Sequence, residues 1–318
     1  MKPKILISRR WPEAVQERLR ARYEVALNAT DAPMTIAQLK TAMGEYDALC
    51  PTVSDKMPAE VLATPGARVK IIANYGAGFE HIDLEAAKSA GLVVTNTPDV
   101  LTDATAELAL LLMLMTSRRA GEGERELRAG RWAGWRPTHL LGQSLAGKTL
   151  GLVGYGRIAR ATAQRAKAAL GMEIAYYSRR RAADEAGATY HESLESLAAV
   201  SDVLSLHTPG GAETHHLIDA ALLARMKPTA LLINTARGSV VNEADLAQAL
   251  TNGVIAGAGL DVYQGEPQVN PVLLDAPNAV LLPHLGSATL ETRMAMGMRA
   301  ADNLDAFFDG KPPLDRVA

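Results

Sequence analysis

The fold class follows from the segment Thr149-Leu150-Gly151-Leu152-Val153-Gly154-Tyr155-Gly156-Arg157-Ile158-Ala159. Its first five residues are mostly apolar and predict a buried strand, and the alanine-rich residues from Arg157 onward predict a helix. Gly154 permits a tight turn, Gly156 lets a ligand approach the backbone, and small Ala159 lets the helix pack closely on the strand. This pattern is the dinucleotide-binding fingerprint, which places a pyrophosphate at the helix N-terminus. An ordinary strand-to-helix turn is the alternative interpretation.

Short apolar strands and alanine-rich helices alternate on both sides of this segment, which predicts parallel sheets with right-handed crossovers and helices on both faces. A long helix over Thr102–Ser117 and a loop-rich stretch over 118–147 separate an upstream series from a downstream one. We therefore expect an α/β fold with two doubly wound lobes. Residues 99–286 would form a Rossmann NAD(P)-binding domain. Residues 1–98 and 287–318 would form a flavodoxin-like substrate domain, to which the terminal helix (Thr289–Phe308) returns.

The composition is that of an ordinary globular protein. The chain has 318 residues, 48% of them hydrophobic and 21% charged, and its net charge of −2 favours neither nucleic acid nor an anionic membrane as partner. The single cysteine, Cys50, excludes an intramolecular disulfide and fits a reducing compartment. The most apolar run, Leu108–Met115, is far shorter than the about 20 residues of a membrane span. We expect a cytoplasmic protein.

The strand predicted after the fingerprint bears on cofactor selection. An NAD-selective site has an acidic residue at the end of this strand, where it binds the ribose 2′-hydroxyl. Here Glu173–Tyr177 is followed by Ser178-Arg179-Arg180-Arg181, and no carboxylate occurs before Asp184. Arginine can bind a 2′-phosphate through its planar set of donors. The segment predicts NADP as cofactor, with NADPH preferred and NAD possible. A solvated charged loop is the alternative.

Three further residues follow consecutive predicted strands of the second lobe. Arg237 stays charged and can bind a carboxylate through paired hydrogen bonds, while His284 is suited to proton donation near neutral pH. Glu266 lies between them in sequence and can orient the imidazole, as a buried aspartate does in serine proteases. Because all three follow carboxyl ends of strands, where ligands bind in such sheets, we expect them to act together on a 2-keto or 2-hydroxy acid.

The remaining histidines are weaker candidates. His207 follows a predicted strand and is expected near the cofactor rather than in catalysis. His215 and His216 are adjacent and are expected to point apart, and His81 and His191 show no partner in the sequence. No cluster has the spacing of metal ligands, so no metal site is predicted.

The segment Asn74–Phe79 joins a strand of the first lobe to a helix expected to start near Ile82. Its small residues leave backbone N–H groups able to bind a substrate carboxylate at the helix start. A sterically required turn is the alternative.

Together these motifs resemble the D-isomer-specific 2-hydroxyacid dehydrogenases, most closely their glyoxylate/hydroxypyruvate reductase branch, over nearly the whole chain. The strongest matches are the fingerprint, Asn234-Thr235-Ala236-Arg237-Gly238, Gly259–Val262 with Gly265-Glu266-Pro267, and Pro283–Thr289. The resemblance implies Arg237, Glu266 and His284 as catalytic residues, and Val53, Ala77, Gly78, Arg237 and His284 at the substrate. It implies cofactor contacts from Thr105, Gly154, Tyr155, Gly156, Arg157, Ile158, Ser178, Arg179, Arg180, His207, Thr208, Pro209, Thr214, Thr235, Ala236, Arg237, Asp261, His284 and Gly286. It also implies a homodimer built through the second lobe, with the Thr102–Ser117 helix and the loop after it.

Two departures from the family pattern affect the expected substrate pocket and the cofactor loop. Trp132 and Trp135 match a tryptophan-rich stretch, but His139 stands where an aromatic residue is expected. Gly210-Gly211 replaces bulkier residues and is expected to loosen the cofactor loop.

The leading hypothesis is an NADPH-preferring reductase of small 2-keto acids such as glyoxylate and hydroxypyruvate. The alternatives are a reductase of 2-ketogluconate or another longer 2-keto acid, and a non-catalytic, dinucleotide-sensing protein of the corepressor type.

Overall fold

The computed structural model describes residues 1–318. The strands are β1 (Lys4–Ile7), β2 (Glu24–Leu27), β3 (Ala48–Cys50), β4 (Ile71–Ala73), β5 (Val93–Thr95), β6 (Thr149–Val153), β7 (Glu173–Tyr177), β8 (Thr189–Tyr190), β9 (Val203–Leu206), β10 (Leu231–Asn234), β11 (Gly257–Leu260) and β12 (Ala279–Leu281). The helices are α1 (Glu13–Arg22), α2 (Ile36–Glu45), α3 (Ala59–Leu62), α4 (Leu84–Ser89), α5 (Thr102–Ser117), α6 (Ala120–Arg128), α7 (Arg157–Leu170), α8 (Leu194–Val200), α9 (Ala220–Leu223), α10 (Glu243–Thr251), α11 (Pro271–Asp275) and α12 (Leu290–Phe308). None of the helices is both long enough and apolar enough to cross a membrane.

The first of two compact units contains residues 1–101 and 288–318. Its five parallel strands lie in the order β2-β1-β3-β4-β5, the flavodoxin-like arrangement. Successive residues of β1 face opposite sides of the sheet, because side chains alternate along a strand. Ile5 packs with α1 and α12 on one side, and Leu6 packs with α2 and α3 on the other. Val100 and Leu101 also pack into the α1–α12 side, which is why this unit extends past residue 98.

The second unit contains residues 102–287. Its seven parallel strands lie in the order β12-β11-β10-β9-β6-β7-β8, so the chain starts in the middle at β6, runs outward to β8, and then returns to the other side at β9. This is the Rossmann arrangement with one additional strand, and it confirms the predicted fold class. The strand order reverses between β6 and β9. Ligands of such sheets bind beyond the carboxyl ends of the strands at this reversal.

The segment 118–147 departs from the sequence prediction, because its first part is a helix. The prediction of a loop-rich stretch is wrong for α6, which has two glycines, many charged residues and only a narrow apolar stripe formed by Ala120, Gly123 and Leu127. Ion pairs one turn apart, Arg119–Glu122 and Glu124–Arg128, support this helix instead of burial. None of its residues is buried in the single chain.

Candidate active site

The glycine-rich turn after β6 has the geometry that a phosphate requires. Gly154 has a φ of +86°, and a Cβ there would lie 2.8 Å from the carbonyl oxygen of His207, so only glycine fits. Gly156 is the N-cap residue of α7 and provides no side-chain cap. A Cβ on Gly156 would meet no atom within 4 Å. No side chain therefore caps this end of α7, and the helix dipole favours an anion there.

Two buried hydroxyl groups near this turn also fit a ligand. The Oγ1 atoms of Thr208, after β9, and Thr235, after β10, are buried without a hydrogen-bond partner in the protein. Buried polar groups are normally satisfied, so both hydroxyls are suited to contact a bound polar molecule. Directly before Thr208, desolvation lowers the pKa of His207 to about 4, and its Nε2 lies 3.0 Å from the Ser205 hydroxyl. His207 is therefore neutral at physiological pH and adds no charge to the site.

Tyr155 lies between the two glycines, but its side chain has a structural role. The ring stacks on Tyr176 with centroids 4.1 Å apart, and the hydroxyl donates to the carbonyl oxygen of Glu185 at 2.9 Å. Only the backbone of Tyr155 is thus free to contact a dinucleotide.

The segment that follows β7, Ser178–Arg181, is here named the arginine loop. Arg181 forms a two-pronged ion pair with Glu185, at 2.8 and 3.1 Å, and Arg179 pairs with the exposed Glu213. Arg180 is exposed and forms no ion pair, while the Ser178 hydroxyl donates to its carbonyl oxygen at 2.5 Å. The guanidinium of Arg180 is therefore without an ion pair, and that of Arg179 is paired with an exposed carboxylate.

The carboxyl ends of β10, β11 and β12 are adjacent, because these strands pair in parallel and in sequence order. The segments that follow them are here named turn A (residues 235–238), turn B (261–268) and turn C (282–286). Turn A carries Arg237, turn B carries Glu266 and turn C carries His284. The structure brings these predicted residues to one edge of the second unit.

Turn A is held by the side chain of Asn234, which is buried. Its Oδ1 accepts from the N–H of Ala236 at 3.0 Å, and its Nδ2 donates to the carbonyl oxygen of Arg237 at 2.9 Å. The Arg237 stem lies against Gly210, where a Cβ would be 3.3 Å from Arg237 Cγ. Gly210 thus allows the loop after β9 to lie close to the Arg237 side chain.

His284 and Glu266 form the central pair. Their Nδ1 and Oε2 atoms are 2.8 Å apart, and both side chains are about one-third exposed. Burial alone would raise the pKa of Glu266, but its hydrogen bond with His284 and the charges of His284 and Arg237 lower it. An ionised carboxylate only accepts hydrogen bonds, so Nδ1 of His284 carries the hydrogen and Nε2 remains for a second partner.

Asp261 holds turn C in an unusual backbone conformation. His284 has a φ of +56°, a region that non-glycine residues seldom adopt. Its N–H donates to the carbonyl oxygen of Asp261 at 3.0 Å, and the next two N–H groups, of Leu285 and Gly286, donate to the Asp261 carboxylate at 2.6 and 2.8 Å. Burial raises the pKa of Asp261, against the opposing effect of these N–H groups. Turn C also receives a hydrogen bond from Thr105 of α5 to the Gly286 carbonyl, at 3.2 Å.

The segment after β4 in the first unit orients its peptide groups through two asparagines. Asn74 donates to the carbonyl oxygens of Gly76 and Gly78 at 3.1 and 2.9 Å, and Asn96 donates to that of Ala77 at 2.7 Å. The N–H groups of Ala77 and Gly78 therefore point away from these side chains. Val53 lies beside this segment, because a Cβ on Gly76 would be 3.3 Å from its Cγ1.

Two expectations about this region are corrected. The helix begins at Leu84 rather than near Ile82, and the Asp83 carboxylate caps its first turn by accepting from Ala86. Its N-terminus is thus already occupied by an anion. His81, which showed no partner in the sequence, lies 3.0 Å from the Oδ1 atom of Asn74 and orients that amide.

The other histidines are also placed by the structure. The rings of His215 and His216 are stacked, with centroids 3.9 Å apart, because His216 has a φ of +52°. The expectation that they point apart assumed a regular backbone and is wrong. His191 lies 3.1 Å from the Ser196 hydroxyl, and His139 pairs with Glu126 of α6 at 2.9 Å.

Asn234, Tyr263 and Glu243 make contacts that hold the three turns together. The sequence pattern assigned none of them this role. The polar Asn234 at the end of an otherwise apolar strand was the clearest available signal. The contact of Glu243 with turn B joins residues 21 positions apart and has no local pattern.

Known proteins resemble this chain over most or all of its length. Residues 110–286 match the family model described as D-isomer specific 2-hydroxyacid dehydrogenase, NAD binding domain. The glyoxylate reductase of Thermococcus litoralis is 46% identical and covers 100% of this chain and 97% of its own length. The glycerate dehydrogenase of Hyphomicrobium methylovorum is 42% identical, with 97% of each chain covered. Among solved structures, an NADPH-dependent glyoxylate/hydroxypyruvate reductase from Sinorhizobium meliloti, in complex with NADP and malonate, is 40% identical with a TM-score of 0.89, covering 100% of this chain and 97% of that one.

Proposed function

Because the chain belongs to the family of D-isomer-specific 2-hydroxyacid dehydrogenases, we propose that this oxidoreductase reduces small 2-keto acids, glyoxylate and hydroxypyruvate first, to 2-hydroxy acids. The observation that carries the proposal is the His284–Glu266 pair on turns adjacent to Arg237. A keto acid needs a cation for its carboxylate and a proton for its carbonyl oxygen, and this set supplies both. The names of the similar proteins support the substrate class.

Each residue of the set has a defined task in this proposal. Arg237 binds the carboxylate and polarises the ketone, and His284 delivers a proton from Nε2 to the developing alkoxide. Glu266 fixes the imidazole orientation through Nδ1 and stabilises its charged form. Ala77 and Gly78 of the first unit offer N–H groups to a carboxylate, and Val53 borders them. A nicotinamide dinucleotide, when bound, supplies the hydride.

We assign the second unit as the dinucleotide-binding domain and the first as the substrate domain. In the second unit, the fingerprint turn would hold the pyrophosphate, and the unpartnered hydroxyls of Thr208 and Thr235 would contact the cofactor. The remaining contacts are those implied by the family resemblance, with Tyr155 acting through its backbone. The match of residues 110–286 to an NAD-binding domain supports this assignment.

NADPH is the proposed reductant over NADH. The support is the sequence directly after β7, where no carboxylate occurs before Asp184 and where Ser178, Arg179 and Arg180 are exposed or half-buried. A 2′-phosphate could take the place of the exposed Glu213 as the partner of Arg179 and could add a contact to unpaired Arg180.

The test follows the oxidation of NADPH or NADH by its absorbance at about 340 nm. Purified protein receives either cofactor together with glyoxylate, hydroxypyruvate or a longer 2-keto acid. We expect rapid oxidation of NADPH with the two short acids and a smaller kcat/KM with NADH. Preference for NADH would overturn the cofactor proposal alone. Activity only with longer acids such as 2-ketogluconate would overturn the substrate proposal. No oxidation with any pair would contradict the enzymatic proposal and favour the corepressor alternative.

We further propose that the protein is a homodimer formed through its second unit. Support comes from apolar side chains that the single chain leaves exposed on α5, α6 and the segment after it, namely Leu111, Leu114, Leu127, Trp132, Trp135 and Leu141. Sedimentation of wild-type protein should give twice the chain mass, and Leu127→Glu should shift it toward the monomer. Leu314→Glu, the same change on an exposed leucine of the first unit, is the control. A wild-type monomer would contradict the proposal.

The proposed compartment is the cytoplasm. The only cysteine, Cys50, is fully buried, and desolvation raises the pKa of its thiol. It therefore has neither a disulfide partner nor the thiolate character that oxidation requires, as is usual for proteins of a reducing compartment.

A further inference from the structure

Glu243 is a buried carboxylate that the proposed reaction does not use. It is the first residue of α10, and only 8% of it is exposed. Burying a carboxylate is costly unless it is paired or hydrogen-bonded. The α10 N-terminus contributes a favourable partial charge, and the Oε1 atom of Glu243 accepts one hydrogen bond, from the N–H of Gln264 in turn B. The hydrogen bond thus ties the helix that follows turn A to turn B.

Turns A and B are also in direct backbone contact. A Cβ on Gly238 would lie 1.9 Å from the carbonyl carbon of Tyr263 and 2.3 Å from the nitrogen of Gln264. Only a residue without a side chain allows this approach. The peptide group between Tyr263 and Gln264 is therefore held from one side by the turn that carries Arg237 and bound at its N–H by Glu243.

The same part of turn B holds Glu266. The N–H of Tyr263 donates to the Oε1 atom of Glu266 at 3.0 Å, while the Oε2 atom of Glu266 contacts His284. The Tyr263 hydroxyl reaches the carbonyl oxygen of Leu282 in turn C at 2.9 Å. A displacement of the 263–264 peptide would thus be transmitted to Glu266 and, through it, to the imidazole.

We propose that Glu243 is a positioning residue, which fixes the 263–264 peptide so that Glu266 orients His284 toward the substrate. The inference rests on the proposed function for its kinetic consequences. A role in folding alone is the competing explanation, because any buried hydrogen bond contributes to stability. A positioning role predicts that loss of the Glu243 acceptor changes the pKa of Glu266, whereas a role in folding alone predicts no such change.

The pair Glu243→Ala and Glu243→Gln separates the hydrogen bond from the charge. Both variants remove the same negative charge, but glutamine retains an oxygen that can accept from Gln264. We expect Glu243→Ala to lower kcat about 10- to 100-fold, the scale of a small misplacement of a catalytic group, and to leave the KM for NADPH unchanged. Glu243→Gln should stay within about threefold of the wild type, since its acceptor is preserved.

The ionisation of Glu266 supplies a readout that needs neither substrate nor cofactor. The titratable and charged groups that act on its carboxylate are His284, Arg237, Asp261 and Tyr263, and Glu243 in turn acts on Tyr263. The N–H of Tyr263 is one of the groups that lower the pKa of Glu266. We expect ¹³C NMR titration of that carboxyl, identified by its absence in Glu266→Gln, to give a higher pKa in Glu243→Ala than in Glu243→Gln.

The outcomes distinguish the two proposals. Equal kcat values and equal Glu266 titrations in Glu243→Ala and Glu243→Gln would overturn the positioning role, even if both variants melt at lower temperature than the wild type. A wild-type protein without turnover would contradict the proposed function, while the NMR titration would still test Glu243. If Glu243→Ala does not fold, Glu243→Asp, which retracts the acceptor by one methylene, should give the higher Glu266 pKa relative to Glu243→Gln. No such difference would reject the positioning role.

Discussion

Turns A to C and the arginine loop both lie at the carboxyl ends of strands in one sheet, yet they are built in opposite ways. Turns A to C are crowded: Gly238 has no room for a Cβ, and Asn234, Asp261 and Glu266 each bind backbone N–H groups. The arginine loop is largely exposed, and the Arg179–Glu213 pair has about three-quarters of each side chain in solvent. Packing thus fixes the side-chain positions in turns A to C, whereas surface ion pairs hold the side chains of the arginine loop only weakly.

This contrast predicts different responses to substitution. A buried, mutually bonded arrangement fails as a unit, because each lost contact leaves another polar group without a partner. An exposed ion pair contributes about 0–1 kcal/mol and can be replaced by water or by a ligand phosphate. Chemistry should therefore respond steeply to changes in turns A to C, and cofactor choice should respond gradually to changes in the arginine loop.

The largest effect is expected from His284→Ala. Removal of the proton donor should lower kcat for glyoxylate by about 10²–10⁴-fold, the usual contribution of a general acid. NADPH binding, measured by calorimetry, should remain within a few-fold of wild type, because the fingerprint turn is untouched. His191→Ala, on a histidine of the same unit bonded only to Ser196, is the control and should retain activity. Near-normal turnover of His284→Ala would contradict the assigned role.

A smaller loss, about 10- to 100-fold in kcat, is expected from Glu266→Gln, since the imidazole keeps a hydrogen-bond partner but loses the charge that orients it.

The stability of the protein should also depend on Glu266 as the pH falls. Although burial would raise the pKa of Glu266, His284 lowers it from 4.5 in the folded protein. Its ionised form thus contributes stability that is fully present above pH 4.5 and is lost as the pH falls through the lower, folded-state pKa. The difference in melting temperature between wild type and Glu266→Gln should shrink as the pH falls below 4.5. A difference that grows on acidification would contradict this assignment.

The sequence predicted the parts of this comparison that depend on local pattern. The fingerprint turn, the strand ends and the positions of Arg237, Glu266 and His284 all follow from apolar runs that end at glycine, proline or polar residues. Parallel strands bring their carboxyl ends to the same edge of a sheet, so the proximity of these residues follows from topology alone.

The remaining features depend on contacts between segments distant in sequence. The cap that Asp261 provides for turn C spans 24 residues, and the contact of Glu243 with turn B spans 21. The positive φ of His284 has no clear sequence signal, because non-glycine residues seldom adopt that conformation and hydrogen bonds to the distant Asp261 maintain it. Helix α6 was missed because its two glycines and many charged residues leave only a narrow apolar stripe, and ion pairs one turn apart support it instead of burial.

The smallest effect, and the sharpest test of the exposed half of the comparison, is expected from Arg180→Ala. Arg180 is the one arginine of the arginine loop whose guanidinium forms no ion pair, so its removal should hardly change the stability of the free protein. A bound 2′-phosphate would lose one charged hydrogen-bond donor. We expect kcat/KM for NADPH to fall about tenfold, the value of one such hydrogen bond, and kcat/KM for NADH to stay unchanged. Arg225→Ala, an equal loss of charge at an exposed site after α9, should change neither value. An equal loss with both cofactors would show that Arg180 acts on the shared part of the dinucleotide, and cofactor selection would then have to lie in Ser178 and Arg179.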